Sequence, residues 1–157
     1  MIYFVVAIDE KRGMANDHGI PWQGKIPSDV KHYHDLIKGH DILMGLATYN
    51  EFAKPMPGQN NYVISDSDQP LRDGFIEVRD LDSFVKEHSK DLCIIGGAGV
   101  FAQTITQADE LYLTRLDADF KCTKFFPEFE QDFKLAEQSD PITENGITFK
   151  FEKWVRR

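Results

Sequence analysis

Cysteine is scarce in this chain, which excludes an architecture held together by disulfides. Of the 157 residues, two are cysteines. Cys93 lies in an apolar run and Cys122 in a polar segment, without the short spacing of a zinc motif. The five histidines form no His-Glu-x-x-His pair. We therefore expect two free thiols in a reducing cytoplasm, and no metal site.

Excess positive charge and long apolar runs are also missing. The 18 basic residues are outnumbered by 26 acidic ones, giving a net charge of −8, which argues against nucleic acid as the main partner. No apolar stretch approaches the roughly 20 residues that a membrane span needs. The apolar start, Met1–Ile8, has no basic residues before it and is interpreted as a buried strand, not a signal peptide. The length favours one domain, 1–157, and we expect a monomer.

Segments typical of strands and helices alternate along most of the chain. Ile2–Ile8 is a continuous apolar run, as expected for a strand covered on both faces. The polar, glycine-bearing segment Asp9–Gly19 is interpreted as a long loop. Near the end, Asn145-Gly146 favours a hairpin turn. Parallel βα units closed by an antiparallel hairpin predict an α/β fold with a mixed sheet. Further strands are predicted at 42–44, 62–65, 76–78, 92–95, 111–116, 133–137 and 147–154, and helices at 29–38, 45–52, after Asp80 and after Gly99.

The stretch from Ile20 to Asp29 leads to a single carboxylate. Pro27 disfavours the α region for the residue before it, so Ser28 is a natural N-cap and Asp29 falls in the first helical turn. The apolar stripe of that helix begins one residue later, at Val30. Asp29 therefore lies at the border between water and core. It is either an N-terminal helix charge or an acid held in a pocket.

Two junctions between a strand and a helix carry glycine. Ile94-Ile-Gly-Gly-Ala-Gly99 and Met44-Gly-Leu-Ala-Thr48 each end an apolar strand and start a helix. Glycine lets a phosphate approach the backbone N–H groups closely. Neither junction has the full dinucleotide fingerprint, and glycine also occurs at strand ends for packing. Together the pair favours a dinucleotide pyrophosphate site.

These segments stand in the order found in one enzyme family. Ile20-Pro-Trp22, Ile26-Pro-x-Asp29, Ile42-Leu-Met-Gly45 with Thr48, Pro55-Met-Pro-Gly58, Ile94-Ile-Gly-Gly97 and Leu111-Tyr-Leu-Thr114 follow one another. With Phe126-Pro127 and the terminal hairpin, nearly the whole chain resembles dihydrofolate reductase. The resemblance implies a central eight-stranded, mostly parallel mixed sheet with four flanking helices. It also implies hydride transfer from the C4 of NADPH to the C6 of dihydrofolate, with a proton added at N5.

The resemblance also assigns residues. Asp29 is the catalytic carboxylate and the sole ionisable group of the pocket, supported by Thr114, and burial should raise its pKa. Trp22 and Ile20 belong to a loop that closes over the nicotinamide and excludes water. The substrate is expected to contact Val5, Val6, Ala7, Val30, Tyr33, Phe52, Met56 and Gln59. The dinucleotide is expected to contact Ala7, Ile20, Gly45, Leu46, Ala47, Thr48, Ser65, Asp66, Ile95, Gly96, Gly97, Ala98, Gly99, Val100 and Phe101.

Three departures from the family pattern bear on the substrate. Gln59 stands where the family carries an arginine that holds the folate α-carboxylate, and an amide cannot form that bidentate ion pair. Folate then binds more weakly, Lys31 or Lys54 substitutes, or the substrate lacks the glutamate. Two extra residues within Gln23-Gly24-Lys25 alter the closing loop. Phe101 replaces a tyrosine.

Cofactor choice departs as well. The family commonly has basic residues at the places of Leu46 and Gly99, and a serine, threonine or arginine near Asp66. An acid there repels a 2′-phosphate but can bond a free ribose hydroxyl, as in NAD-selective enzymes. The sequence therefore predicts that NADPH is used, but that the enzyme discriminates poorly against NADH or prefers it. Alternatively, Asp66 points into solvent and Arg79 or a lysine contacts the phosphate.

Three functions stay open at this point. Dihydrofolate reductase is the leading one. A reductase of another pterin-like compound, such as dihydromethanopterin or a riboflavin-pathway pyrimidine, is favoured by Gln59. A non-catalytic nucleotide- or pterin-binding module is the third, and Asp29 argues against it because a binder needs no lone carboxylate opposite a hydride donor.

Overall fold

Apolar strands at the centre of a mixed sheet organise the fold in the computed structural model, which describes all 157 residues. The first strand, Ile2–Ile8, pairs in parallel with Leu92–Ile94 on one side and with Glu110–Leu116 on the other. The strands are β1 (Ile2–Ile8), β2 (Gly13–Ala15), β3 (Asp41–Met44), β4 (Asn61–Ile64), β5 (Phe75–Val78), β6 (Leu92–Ile94), β7 (Glu110–Leu116), β8 (Lys124–Phe125), β9 (Phe133–Gln138), β10 (Ile142–Glu144) and β11 (Ile147–Arg156). The helices are α1 (Pro27–Ile37), α2 (Leu46–Glu51), α3 (Leu81–Glu87) and α4 (Ala98–Thr104), with a 3₁₀ turn at Ile105–Gln107.

The predicted α/β fold with a mixed sheet and four helices is confirmed, with one difference in strand number. The order across the sheet is β10-β11-β7-β1-β6-β3-β4-β5, and β9 pairs with β11 as a ninth strand. β10 and β9 pair with successive parts of the same edge of β11. The sheet is therefore eight strands wide, and β9 and β10 share the outermost place beside β11. Pro141, which has no N–H for a ladder, lies where the division occurs.

Two other local predictions were wrong. Ser28 is not the N-cap of α1: Ile26 takes that position and Pro27 opens the helix, because the fixed φ of proline suits the first helical residue. The segment Asp9–Gly19 is not loop throughout. It contains β2, which pairs with β8, a partner more than a hundred residues away that no local pattern indicates.

The core divides between the two faces of the sheet because successive strand residues point to opposite sides. Phe4 belongs to a phenylalanine-rich cluster with Phe101 and Phe126. Tyr3 belongs to a second cluster, which includes Ile37 of α1. A third, small cluster surrounds Trp22, Ile26, Leu116 and Phe149. No helix combines the length and apolar character needed to cross a bilayer.

Candidate active site

A cleft of about 590 Å³ opens between α1, α2 and the segment 14–26. Its floor includes Val5, Val6 and Ala7 of β1 and Thr114 of β7. Its far wall is the junction from Ile95 to Ala98, between β6 and α4. The cleft thus lies at the carboxyl ends of parallel strands, where open α/β sheets bind ligands.

Asp29 is the one carboxylate deep in this cleft. It lies in the first turn of α1, and the Thr114 hydroxyl on the neighbouring strand donates a hydrogen bond of 2.5 Å to its Oδ1. Burial raises the pKa of Asp29, the Thr114 hydrogen bond opposes that rise, and the negative charge of Glu144 adds to it. The result is an acid that stays protonated to higher pH than a free aspartic acid.

The ionisable groups at the rim differ from Asp29 in exposure. The sequence prediction made Asp29 the sole ionisable group in the pocket. In the structure, Asp17, His34, Glu51 and Lys124 also line the cleft, but all four are exposed. Beside Asp29 in the interior, Tyr33 keeps its proton because burial raises its pKa.

The turn of the terminal hairpin holds the start of α1. Glu144 accepts hydrogen bonds from the Ser28 backbone N–H (3.0 Å) and from the Ser28 hydroxyl (2.6 Å). Next along the turn, the Asn145 side chain donates to the Lys25 carbonyl (2.7 Å). The hairpin therefore fixes the residues on either side of Ile26, and through them the position of Asp29.

Trp22 closes one side of the cleft. Its side chain is 3% exposed and packs edge-on against Phe120, with ring centroids 5.2 Å apart. Ile20 packs against the same cluster and also lines the cleft. Both side chains are apolar and line the same cleft as Asp29; their role in excluding water from it stays a prediction.

The two glycine junctions lie against each other. The Gly45 N–H donates to the Gly96 carbonyl (2.8 Å), and a Cβ on Gly45 would lie 3.0 Å from Val100 Cγ2. Gly96 has φ +130° and a cis peptide bond to Gly97. A Cβ on Gly97 would have its nearest neighbour at 3.9 Å, and one on Gly99 would meet nothing within 4 Å. Gly45 and Gly96 thus permit close packing, whereas Gly97 and Gly99 leave open surface.

Comparisons with known proteins agree with this geometry. The family model described as dihydrofolate reductase matches residues 1–156. The chain belongs to the dihydrofolate reductase family. The family's enzyme from Bacillus subtilis is 30% identical over the whole chain and 95% of its own length. The type 3 enzyme from Salmonella typhimurium is 29% identical over 82% of the chain and 80% of its own length.

A solved structure shows the same fold. Dihydrofolate reductase from Enterococcus faecalis, complexed with NADP(H) and RAB-propyl, superposes with a TM-score of 0.86. The match covers 100% of this chain and 96% of the other, at 21% sequence identity. The fold predicted from the family resemblance is therefore confirmed.

Most residues predicted from the family resemblance lie together in the cleft. The three predicted catalytic side chains, Asp29, Trp22 and Thr114, all line it. Their roles stay predictions. The predicted ligand contacts that also line it are Val5, Val6, Ala7, Ile20, Val30, Tyr33, Ala47, Thr48, Phe52, Ile95, Gly96, Gly97 and Ala98.

Nine predicted contacts lie outside the cleft lining. Val100 and Phe101 are buried in the core, where the Phe101 ring lies 4.9 Å from that of Phe4. Met56 packs against the cluster around Tyr3. The other six are Gly45, Leu46, Gln59, Ser65, Asp66 and Gly99.

The side chain of Gln59 forms its hydrogen bonds with the backbone between α1 and β3. Its Oε1 accepts from the Gly39 N–H (3.0 Å), and its Nε2 donates to the carbonyls of Ile37 (2.9 Å) and His40 (2.6 Å). Both donor hydrogens and the acceptor are thus in use. The side chain replaces the missing helical partners at the end of α1 and has no donor left for a ligand.

The segment that follows β4 carries an acidic residue, and its polar groups bond to one another and to Arg79. Asp66 is exposed, and the Ser65 hydroxyl accepts from the Ser67 N–H (3.1 Å). The Arg79 guanidinium donates to the Ser67 carbonyl (2.9 Å) and pairs with Glu77 (2.9 Å). Arg79 is therefore paired with a carboxylate and also contacts the backbone of this segment.

Eleven residues that line the cleft, most of them at its rim, were not predicted from the sequence. His34 follows Tyr33 on α1, and Glu51 precedes Phe52, so neighbouring assignments could have indicated both. The remainder of the rim depends on the β2–β8 pairing and on how the closing loop packs. The missed residues are Met14, Ala15, Asn16, Asp17, Gly19, Gln23, Gly24, Ile26, His34, Glu51 and Lys124.

Proposed function

We propose that this protein reduces 7,8-dihydrofolate to tetrahydrofolate, with NADPH as the hydride donor. Its family membership and its relatives named dihydrofolate reductase support the reaction. The observation that carries the proposal is Asp29, a half-buried acid with a raised pKa at the bottom of a largely apolar cleft. Such an acid can both recognise a pterin edge and supply a proton.

The far wall of the cleft fits a dinucleotide. Gly97 and Gly99 leave room for phosphate oxygens at the start of α4, and Thr48 offers a hydroxyl from the adjoining junction. When bound, the reduced nicotinamide supplies a hydride to C6 of the pterin. The similarity to a fold solved with NADP(H) supports NADPH in this role.

Asp29 and Thr114 are the residues that bind and orient the pterin. The carboxyl group lies where it can accept from the 2-amino group and N3 of the pterin while the Thr114 hydroxyl orients it. Because burial raises its pKa, the site holds a proton to higher pH than a free aspartic acid would. Trp22 and Ile20 shield that space from water, which would otherwise stabilise the charges before reaction.

The monomeric state and the cytoplasmic location are part of the same proposal. Both cysteines are free thiols, as predicted, with Cys93 buried. Free thiols are typical of proteins in a reducing compartment.

The deciding experiment measures NADPH oxidation with dihydrofolate as acceptor. Wild-type protein should turn over at micromolar substrate, and Asp29→Asn should lower kcat at least about 100-fold while NADPH binding persists. Asp35→Asn is the matched control, because Asp35 lies on the same helix but is exposed. Equal activity of the two variants would refute the role of Asp29.

A reductase of another pterin is the second candidate, and the occupied Gln59 side chain favours it. In that case dihydrofolate would give no turnover although NADPH still binds. A reduced or oxidised pterin without a glutamate tail would then be the acceptor to test.

A further inference from the structure

The mouth of the cleft carries negative charge where a substrate tail has to leave. Glu51 is the last residue of α2, is exposed and lines the cleft. Its charge reaches inward, since it contributes to the raised pKa of Tyr33. Opposite, on α1, the exposed His34 lines the same rim.

No fixed cation faces Glu51 from the cleft wall. The lining contains no arginine, and its one lysine is Lys124. Lys124 belongs to β8, which pairs with β2, so it lies on the side of the closing loop. On α1, Lys31 is turned to Asp35 (3.0 Å).

Neither Gln59, at the end of α1, nor Lys54, after α2, supplies this cation from the cleft wall. The side-chain NH₂ group of Gln59 donates both of its hydrogen bonds to backbone carbonyls. Lys54 is exposed and lies outside the cleft lining. Along the cleft wall, an anionic tail therefore meets Glu51 and no cation within the lining near it.

The direction of the tail follows from the proposed function, on which this inference rests. A pterin bonded to Asp29 has the dinucleotide surface on the side of Gly97. Its substituent must then run along α1, past Tyr33, towards His34 and Glu51. Five residues of helix separate Asp29 from His34, about 7.5 Å, which is roughly the length of a pterin.

We propose that Glu51 sets substrate specificity against anionic tails, so that the cleft prefers dihydropterins with neutral or short tails over oligoglutamylated ones. Each added glutamate brings another carboxylate towards an acid that no cation neutralises. The repulsion acts through solvent and is therefore modest and dependent on salt.

The test is equilibrium binding of three oxidised ligands that do not turn over: neutral pteroyl methylamide, folate and folyl triglutamate. At low ionic strength the neutral ligand should bind at least as tightly as folate, and the triglutamate about fivefold more weakly than folate. Glu51→Lys should strengthen triglutamate binding about tenfold and leave the neutral ligand unchanged. Raising the salt to about 0.5 M should remove most of both differences.

Glu87→Lys provides the matched control. Glu87 is the last residue of α3, as Glu51 is of α2, and it is exposed outside the cleft. The two variants change the net charge equally, so only a local effect separates them. Equal effects of the two variants, or folate binding more than tenfold tighter than the neutral ligand, would overturn the proposal.

Failure of the proposed function has a different signature. If wild-type protein binds the three ligands in the expected order but does not oxidise NADPH with dihydrofolate, the specificity stands and the reaction is wrong. If none of the three ligands binds, both proposals are refuted.

Discussion

The Thr114 hydroxyl influences the ionisation of the half-buried Asp29. Its hydrogen bond stabilises the ionised form of Asp29 and so opposes the rise in pKa that burial causes. Thr114→Val keeps the shape of the side chain and removes the donor. The pKa of Asp29 should then rise further, because nothing replaces the lost stabilisation of the carboxylate.

The pH dependence of hydride transfer tests this. Hydride transfer needs Asp29 to be protonated. The rate of transfer is therefore maximal below the pKa of Asp29 and falls as the pH rises through that pKa. Thr114→Val should move that fall to higher pH in single-turnover kinetics. Thr143→Val, at an exposed position of the hairpin, should not. A shift to lower pH would contradict the assignment.

Asp66 is the residue at which we predict that cofactor choice is set. Asp66 is exposed, and Arg79, which contacts the same segment, is paired with Glu77, so we expect the segment to attract a 2′-phosphate only weakly. The ratio of kcat/KM for NADPH to that for NADH should stay below about 100, or roughly 3 kcal/mol. Asp66→Arg should raise it about tenfold, and Asp73→Arg, elsewhere on the surface, should leave it unchanged. A wild-type ratio above 100 would contradict the prediction.

Among the elements, the terminal hairpin has the most direct effect on the site. Glu144 acts on α1 in two ways, through hydrogen bonds to Ser28 and through its charge. Glu144→Gln keeps an acceptor but removes the charge, so activity should persist while the pKa of Asp29 falls. Glu144→Ala removes both and should lower kcat about tenfold, since the start of α1 loses its anchor.

Comparing the pH profiles of the two variants separates charge from anchoring. Glu137→Gln, on the exposed strand β9, is the control. Identical profiles for Glu144→Gln and wild type would show that the charge of Glu144 does not reach Asp29.

Elements with strong local signals were predictable from the sequence. Apolar runs gave β1 and β7, Asp80 caps α3 by accepting from the Ser83 N–H (3.1 Å), and Asn145-Gly146 forms the turn with positive φ at both residues. Elements that depend on distant pairing were not predictable. β2 exists because β8 lies beside it, and no feature of three residues announces such a partner.

At the scale of the whole molecule, a hydrogen bond between two largely buried side chains joins the end of α3 to the start of β3. His88 Nε2 lies 2.9 Å from Asp41 Oδ2, with side chains 10% and 9% exposed. Asp41 also accepts from the Asn60 side chain (3.1 Å). His88→Ala leaves Asp41 with one partner and should lower the free energy of unfolding by about 2–3 kcal/mol.

Urea unfolding monitored by circular dichroism measures this loss. The catalytic rate should stay within twofold of wild type under native conditions, about 0.4 kcal/mol in activation free energy, because both residues lie outside the cleft. His18→Ala, at an exposed position, is the control. Equal midpoints for the two variants would show that the pair adds nothing.

The residues of the candidate site, like the elements of the fold, were predictable only where the signal is local in the sequence. Residues deep in the cleft, such as Asp29 and Thr114, belong to motifs that can be read along the chain. Rim residues such as Glu51 and Lys124 come together only when α2 and β8 take their places. Gln59 shows the opposite error: its position in a motif suggested a ligand contact, but the backbone at the end of α1 uses all its hydrogen bonds.

The packing of Trp22 gives the molecule a built-in optical probe. The chain has two tryptophans, and only Trp22 borders the cleft. Trp154 lies on β11 against Phe129, with ring centroids 4.9 Å apart. Trp154→Phe would leave Trp22 as the single fluorescent tryptophan, beside the cleft. Quenching of its fluorescence would then report occupation of the cleft in real time, and its emission maximum would report whether the surrounding loop has admitted water.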